Sequence, residues 1–361
     1  MWPSTRLIDL LGTDLPIIQA PMAGAGGTAM AIAAAKAGAL GSLPCAMLSP
    51  ETAREQVQIV RQQVSRPLNL NFFCHTPAPP DDAAQKRWQA SLSDHYERHG
   101  LDPDQPTTAP NRAPFDETFC ALVEEQKPEV VSFHFGLPAP ALLARVKAAG
   151  AKVLSSATTV AEARWLEEQG ADAIIAQGYE AGGHRGVFLE ETITTQPGTF
   201  ALVPQVADAV SVPVIAAGGI ADGRGIAAAF TLGADGVQIG TAFLRSPESL
   251  VSPLHRAALE SASDDSTALT NLFSGRPARG IMNRVMRDQG PMSDKTPPFP
   301  TAGGALAPLK KAAEAEGKAD FSSLWAGQAV RLARDEEAGA VIERLVSEAR
   351  QRLSMVRADT T

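Results

Sequence analysis

The sequence predicts an α/β fold in which eight parallel strands close into a (β/α)8 barrel, known as the TIM barrel. Two observations lead to this prediction. Short apolar runs recur along the chain, and Ala-rich helical stretches lie between them. A barrel of this kind needs about 250 residues, so the chain of 361 residues leaves room for additional segments.

The predicted junctions from helix to strand share one pattern. Each ends an Ala-rich helix with Gly, which tolerates the left-handed conformation found just after a helix, and then enters an apolar run. The clearest examples are Gly38-Ala39, Gly150-Ala151, Gly170-Ala171 and Gly233-Ala234. The runs that follow are apolar on both faces, as expected for parallel strands that helices cover on both sides.

Eight such runs can be counted. The predicted strands are 16–22, 40–44, 68–73, 129–135, 152–157, 173–178, 213–219 and 236–243. An open, doubly wound sheet is the alternative arrangement of alternating strands and helices. The absence of a GxGxxG motif at the start of the first helix argues against it.

Two stretches do not fit a plain barrel, and both follow the C-terminal ends of strands, where barrel enzymes build their active sites. Residues 76–115 are dense in Pro, Asp and Thr, and residues 247–320 are rich in Arg, Pro and Gly. We predict a barrel over 1–246 with a cap insertion at about 76–115, a substrate-covering cap over 247–320, and C-terminal helices over 321–361 that close on the barrel. Solvated insertions without a function are the alternative.

Composition excludes several classes of protein. The 32 Lys and Arg residues against 40 Asp and Glu residues give a formal charge of −8, which argues against a nucleic-acid partner. Three cysteines without a CxxC pair indicate neither a disulfide framework nor a metal site. The N-terminus lacks the features of a signal peptide, and Lys36 interrupts the longest apolar stretch. We expect a cytoplasmic protein with no membrane partner, and a homo-oligomer is compatible with the sequence.

Glycine-rich loops follow the seventh and eighth predicted strands. They contain Gly218-Gly219 and Gln238-Ile239-Gly240-Thr241. In barrels these two loops often bind phosphate, because glycines let consecutive backbone N–H groups approach the anion, and a Thr hydroxyl adds a donor. The sequence therefore predicts a phosphorylated ligand at this end of the barrel, with simple tight turns as the alternative.

The loop after the sixth predicted strand carries the strongest catalytic candidate. Four glycines occur between Gly178 and Gly186, and His184 lies among them. A His held against a ligand in this way can transfer a proton or stabilise an anion. His134, at the end of the fourth strand, can reach the same region, or it can be a hydrogen-bonded core residue. His75 is a weaker candidate, and three further histidines are predicted to lie on the surface: His95, His99 and His255.

Buried amides provide a second indication of a cofactor. Asn69 and Asn71 share one side of the third strand, and Gln177 and Gln238 end two others. An amide inside a barrel costs free energy unless it is hydrogen-bonded. A flavin ring, which alternates carbonyl and nitrogen groups, would satisfy these side chains, and so would pairing among the amides themselves.

Taken together, these segments resemble the nitronate monooxygenases, formerly called 2-nitropropane dioxygenases, a family of FMN-binding TIM barrels. The resemblance covers about residues 16–280. Besides the two glycine loops, it is carried by QAPM at 19–22, NLNFF at 69–73, SFHFG at 132–136, EAGGHRG at 180–186 and FSGRPARG at 273–280.

The resemblance implies an enzyme that oxidises alkyl nitronates with FMN and O2 to a carbonyl compound and nitrite. His184 matches the catalytic histidine of the family, and His134 would be a second donor. The implied FMN contacts are Met22 through its backbone, Asn69, Gln177, Gly182, Gly183, Gly218, Gly219, Gln238, Ile239, Gly240 and Thr241.

Three other functions remain open. An FMN-dependent enoyl-acyl-carrier-protein reductase that uses NAD(P)H shares the EAGGH segment and the glycine loops, but FHFG at 133–136 resembles the oxidase branch. A barrel related to nucleotide dehydrogenases needs a nucleophilic cysteine between strands six and seven, where Cys45, Cys74 and Cys120 do not lie. A catalytically silent flavin-binding protein is the third.

Overall fold

The computed structural model describes residues 2–79, 81–105, 112–190 and 192–358, and it contains the predicted barrel. A short extra strand, β7 (Gly183–His184), follows the sixth barrel strand and does not belong to the barrel. The seventh barrel strand is therefore β8 (Val214–Ala217), and the eighth is β9 (Gly236–Ile239). The barrel strands are β1 (Ile17–Gln19), β2 (Gly41–Pro44), β3 (Leu68–Phe73), β4 (Val130–His134), β5 (Lys152–Ala157), β6 (Ala173–Gln177), β8 (Val214–Ala217) and β9 (Gly236–Ile239).

The eight strands are parallel and follow the order β1-β9-β8-β6-β5-β4-β3-β2. A parallel bridge between Ile18 and Leu40 joins β1 to the start of β2 and closes the ring. The predicted TIM barrel is therefore confirmed. The predicted strand 236–243 is too long, because β9 ends at Ile239 and Thr241–Phe243 forms a turn of 3-10 helix.

Helices alternate with these strands around the barrel, and others lie in the two insertions. They are α1 (Arg6–Leu11), α2 (Thr28–Lys36), α3 (Pro50–Gln63), α4 (Asp82–Ser91), α5 (Ser93–Arg98), α6 (Glu117–Gln126), α7 (Pro140–Ala148), α8 (Val160–Glu168), α9 (Thr199–Ala207), α10 (Gly223–Thr231), α11 (Pro253–Ser261), α12 (Arg284–Gln289), α13 (Gly303–Ala315) and α14 (Ala338–Ala358). No helix in the described part of the chain is long and apolar enough to cross a membrane.

Local sequence explains where several helices begin and end. Asp222 accepts hydrogen bonds from the first N–H groups of α10, and Ser49 does the same for α3. The four junction glycines have positive φ, as the helix-to-strand pattern predicts, with values of 89° for Gly38 and 97° for Gly150, Gly170 and Gly233. Helix α14 packs against α10 and α2 and so completes the outer ring.

The two insertions share a second hydrophobic core outside the barrel. Trp88 and Tyr96 of the first insertion are fully buried against the second, and they donate hydrogen bonds to the carbonyls of Ala302 (2.9 Å) and Ala305 (2.6 Å). His95, predicted to lie on the surface, is buried in the same place, so that prediction is wrong. The insertions therefore form one unit.

A small antiparallel sheet connects this unit to the barrel. It has the order β10 (Thr267–Thr270), β11 (Ala278–Ile281) and β7, so the second insertion pairs directly with the histidine loop. In this pairing His184 lies opposite Ala278, and Gly183 lies opposite Arg279. The position of His184 is thus fixed by residues almost a hundred positions further along the chain.

Candidate active site

A cavity of about 510 Å³ lies at the C-terminal ends of the barrel strands, beneath the insertions. Its size and position are those of a ligand site in a TIM barrel. One end, the glycine end, is formed by the loops after β6, β8 and β9. The other, the histidine end, surrounds His184. All the predicted site residues except Asn69 and Ile239 line the cavity.

Asn69 does not line the cavity, and its Oδ1 is buried without a hydrogen-bond partner among the described residues. It is fully buried, and its Nδ2 donates to Ser42 Oγ at 3.0 Å. Asn71, two residues further along β3 and on the same side, lines the cavity instead and donates to Ser132 Oγ at 3.0 Å. The side chain of Ile239 belongs to the hydrophobic core.

Backbone conformation shapes the glycine end. Gly218 and Gly219 have φ values of 109° and 71°, which side chains rarely permit. A Cβ on Gly182 would lie 2.6 Å from the backbone nitrogen of Gly327. The backbones at Gly182 and Gly327 are therefore too close together for a side chain at Gly182. The Gly327 N–H donates to Thr241 Oγ1 at 2.9 Å, which leaves the hydroxyl hydrogen of Thr241 free to donate to a ligand.

Gly240 and Thr241 add donors at the same end. They begin the 3-10 turn Thr241–Phe243, and the first N–H groups of a helical turn have no partner within the turn itself. Backbone donors that converge in this way suit an anionic group. Ala326 and Gly327 also line this end, although the sequence places them in the predicted closing helices. The part of the chain that lines the cavity therefore extends beyond residue 320.

Gln238 carries an unsatisfied polar atom at the wall of the cavity. Its Oε1 is buried and has no hydrogen-bond partner among the described residues, while the residue lines the cavity. A buried acceptor without a donor costs about 1–3 kcal/mol. A ligand with a ring N–H at this position would remove that cost.

The histidine end places His184 among polar and aromatic side chains from both insertions. Its Nε2 is 2.9 Å from Ser274 Oγ and 3.4 Å from Arg112 Nη1. The rings of Phe299 and Trp325 each have their centroids 5.6 Å from that of His184. These partners come from three separate segments of the chain.

Electrostatics keep the His184 ring neutral. Burial is the largest cause and lowers its pKa well below 6.5, and Arg112, His134, Arg276 and His75 lower it further through their charges. At neutral pH one ring nitrogen therefore carries a hydrogen and donates a hydrogen bond. The other nitrogen can accept a hydrogen bond or take up a proton. It contributes no positive charge.

His134 binds the protein with both ring nitrogens. Its Nε2 is 3.1 Å from the carbonyl oxygen of His184, and because a carbonyl can only accept, this nitrogen carries the proton. Its Nδ1 therefore accepts from the Ser156 hydroxyl at 2.5 Å. Burial lowers the pKa of His134 to about 4. Gln177 Nε2 donates to the same His184 carbonyl at 2.9 Å.

Several residues of the site were not predicted from the sequence, although Ser274 lies in the FSGRPARG segment at 273–280. Arg112, Ser274, Phe299 and Trp325 meet at His184 only because the insertions pack together. His255, predicted to be a surface residue, lines the cavity and is 8% exposed, so that prediction is wrong. Sequence reasoning missed these residues because each depends on contacts between distant segments.

Comparison with known proteins identifies the family. The family model described as nitronate monooxygenase matches residues 4–348. The chain belongs to the nitronate monooxygenase family. It is 43% identical over 349 residues to a nitronate monooxygenase of Pseudomonas aeruginosa, covering 96% of this chain and 99% of that protein. A nitronate monooxygenase of Paraburkholderia phytofirmans is 41% identical over 353 residues, or 97% of this chain and 96% of that protein.

Solved structures agree with this membership. The nitroalkane oxidase from Streptomyces ansochromogenes superposes with a TM-score of 0.86 and 36% identity, over 99% of this chain and 100% of that one. FabK from Thermotoga maritima is less similar, with a TM-score of 0.72 and 28% identity over 99% of each chain. The family resemblance stated from the sequence motifs is therefore confirmed.

Proposed function

We propose that this chain is an FMN-dependent enzyme that oxidises alkyl nitronates with O2 to a carbonyl compound and nitrite. One observation carries the proposal: a neutral His184 and a glycine-built anion cradle line the same cavity. The cradle suits the phosphate of a flavin nucleotide, and the imidazole then lies where a substrate meets the ring. Membership of the nitronate monooxygenase family supports the choice of substrate.

The described residues fit FMN. The phosphate would be held by backbone N–H groups of the glycine end and by the free hydroxyl hydrogen of Thr241. Gln238 Oε1, buried without a partner, would accept from a ring N–H of the flavin. Asn71 replaces Asn69 as the amide on β3 that can reach the ring, and Gln177 keeps one further N–H to donate. The proposed contacts otherwise remain Met22, Gly182, Gly183, Gly218, Gly219 and Gly240.

The protein's own contribution is to position the substrate and exclude water. The bound flavin would accept electrons from the nitronate and pass them to O2. Phe73, Phe135, Phe299 and Trp325 surround His184 and keep water away from it. His184 can then hydrogen-bond the nitro oxygens or hold a proton taken from the substrate.

We assign His134 a positioning role in place of the predicted role as a second donor. Both of its ring nitrogens are bound to the protein, so neither is available to the substrate. Its hydrogen bond to the His184 carbonyl, together with that from Gln177, fixes the backbone that carries the catalytic imidazole.

Three further expectations remain proposals. The shared core of the two insertions supports a cap made of residues 76–115 and 247–327, with α14 as the closing helix. A cytoplasmic setting and a homo-oligomer are predictions from sequence. The lower similarity to FabK does not favour the alternative reductase activity.

Oxygen consumption and nitrite release test the proposed activity. Purified protein mixed with an alkyl nitronate in air should consume O2 and release nitrite, and it should not oxidise NADPH. NADPH oxidation without nitrite release would contradict the proposal and favour the reductase.

A further inference from the structure

Arg112 places a cationic side chain at the histidine end of the cavity. Its Nη1 lies 3.4 Å from His184 Nε2, and its guanidinium lies over the ring of Phe299, 5.8 Å from the ring centre. The residue lines the cavity, and burial lowers its pKa. Arg112 comes from the first insertion, whereas His184 comes from the barrel, so packing of the cap brings them together.

The charge of Arg112 has no acidic partner among the residues that the structure describes. No described carboxylate lies within 4.0 Å of its guanidinium nitrogens, burial is what lowers its pKa, and its Nε is buried without a hydrogen-bond partner among the described residues. A guanidinium that is partly desolvated and unpaired is costly. An anion that enters the cavity would remove this cost.

A nitronate needs a positive charge that His184 does not supply. The nitronate is an anion, and burial together with the neighbouring cations keeps the imidazole neutral. With the proton on His184 Nε2, an oxygen that accepts from it at about 2.8 Å would lie at most about 6 Å from Arg112 Nη1. Arg112 Nη1, which can only donate, would then bond to this oxygen in place of the imidazole. A guanidinium can also bind two oxygens of one planar group at once.

Arg276 approaches the same rings but is engaged differently. Its guanidinium stacks on Phe135 at 4.6 Å from the ring centre, and Nη1 is 3.5 Å from the carbonyl oxygen of Val187. Arg112, and not Arg276, lies within hydrogen-bond distance of His184 Nε2. Arg112 is therefore the cation best placed to meet an anion that is bound to His184.

We propose that Arg112 is the anion-binding residue of the active site and selects the anionic nitronate over the neutral nitroalkane. The proposal rests on the proposed function for the identity of the anion. The binding of an anion by Arg112 can be tested without turnover.

The first experiment measures anion binding with nitrate, a planar anion that resembles the nitronate head group. Calorimetric titration of the full-length protein as purified should give a Kd about 10- to 100-fold weaker for Arg112→Met than for wild type, the range expected for a charge-assisted hydrogen bond. Arg112→Lys should lose less, because it keeps the charge. Arg287→Met, the same substitution at an exposed position, controls for the lost net charge and should bind nitrate as wild type does.

The second experiment measures kcat and KM. For a nitronate, kcat/KM of Arg112→Met should fall about 10- to 100-fold, mainly through KM, whereas kcat/KM for the parent nitroalkane should change less than about threefold. A general disturbance of the cavity would lower both values equally, and that result would overturn the proposal.

The pH profile separates an electrostatic role from a structural one. Arg112 lowers the pKa of His184, together with burial and the charges of His134, Arg276 and His75. If the neutral ring is the active form, activity is lost as the pH falls through this pKa. Without the Arg112 charge the pKa rises, so the loss in Arg112→Met should begin at a higher pH than in wild type, while Arg112→Lys should keep the wild-type profile.

The outcomes also separate this proposal from the proposed function. If wild-type protein turns over no nitronate but Arg112→Met still binds nitrate at least tenfold more weakly, the proposed function fails and the anion site stands. If nitrate binds equally to wild type and to Arg112→Met, the anion site is refuted, whatever the activity.

Discussion

The two ends of the cavity are built in different ways. The glycine end consists mainly of backbone, from the barrel loops and from Ala326 and Gly327. Gly182, Gly218 and Gly219 shape it by having no side chain. The histidine end consists of side chains, and Arg112 and Ser274 reach His184 from two different insertions. The barrel loops therefore supply the glycine-lined surface and His184, while the two insertions supply side chains that surround His184.

The largest effect should follow from a change at the histidine end. His184→Asn should lower kcat for a nitronate at least about 100-fold, since it removes the group that meets the substrate. The flavin content should stay that of wild type, because the glycine end is untouched. Steady-state rates and the visible spectrum measure both quantities.

His99→Asn is the matched control, because His99 lies outside the cavity and pairs with Glu316 at 3.6 Å. Full nitronate turnover in His184→Asn would contradict the catalytic role. Loss of flavin in His184→Asn would contradict the separation of the two ends.

A smaller effect, on a different quantity, is expected at the glycine end. In Gly182→Ala the new Cβ would lie 2.6 Å from the Gly327 nitrogen, so the backbone must move. Overpacking of this kind costs about 1–3 kcal/mol, so flavin should bind about 10- to 100-fold more weakly. Turnover per bound flavin should stay within about threefold of wild type.

Gly339→Ala is the control for this change, because its Cβ would enter open space. Flavin titration of the apoprotein measures the affinity. An unchanged flavin affinity in Gly182→Ala would show that the cradle does not hold the cofactor.

The smallest effect is expected for Ser156→Ala, which tests how the two histidines are connected. The change removes the hydrogen bond that Ser156 donates to His134 Nδ1, and a bond of this kind is worth about 0.5–1.5 kcal/mol. We expect kcat to fall about 3- to 10-fold with unchanged flavin binding, because His134 would hold the His184 backbone less firmly.

Ser155→Ala is the control for a general loss of stability, since Ser155 donates only to the backbone carbonyls of Phe133 (3.3 Å) and Gly136 (2.8 Å). It should change the melting temperature more than it changes kcat. Equal losses of kcat in the two variants would argue against a positioning role for His134.

The contrast between the two ends also explains what the sequence could predict. Barrel strands and junction glycines are local patterns, and positive φ at Gly38 and Gly233 follows from their place after a helix. The glycine end was predictable for the same reason. Most of its residues come directly after barrel strands in the sequence. The position of each strand in the barrel is found by counting the apolar runs along the chain.

The histidine end was only partly predictable. The glycine-rich loop identifies His184, but Arg112 lies in a Pro-rich stretch that has no periodic pattern. Alternation along β3 places Asn69 and Asn71 on one side without showing which of the two is nearer the cavity. How deep a side chain lies in the barrel, and which residues of the two insertions touch, depend on tertiary packing. Local sequence patterns do not predict tertiary packing.

Anaerobic reduction of the flavin tests the central claim most directly. The purified protein is mixed without oxygen first with an alkyl nitronate and, in a separate sample, with NADPH, and the visible spectrum is followed. We predict that the nitronate reduces the flavin and that NADPH leaves it oxidised. Rapid bleaching by NADPH, with no change on addition of the nitronate, would contradict the account.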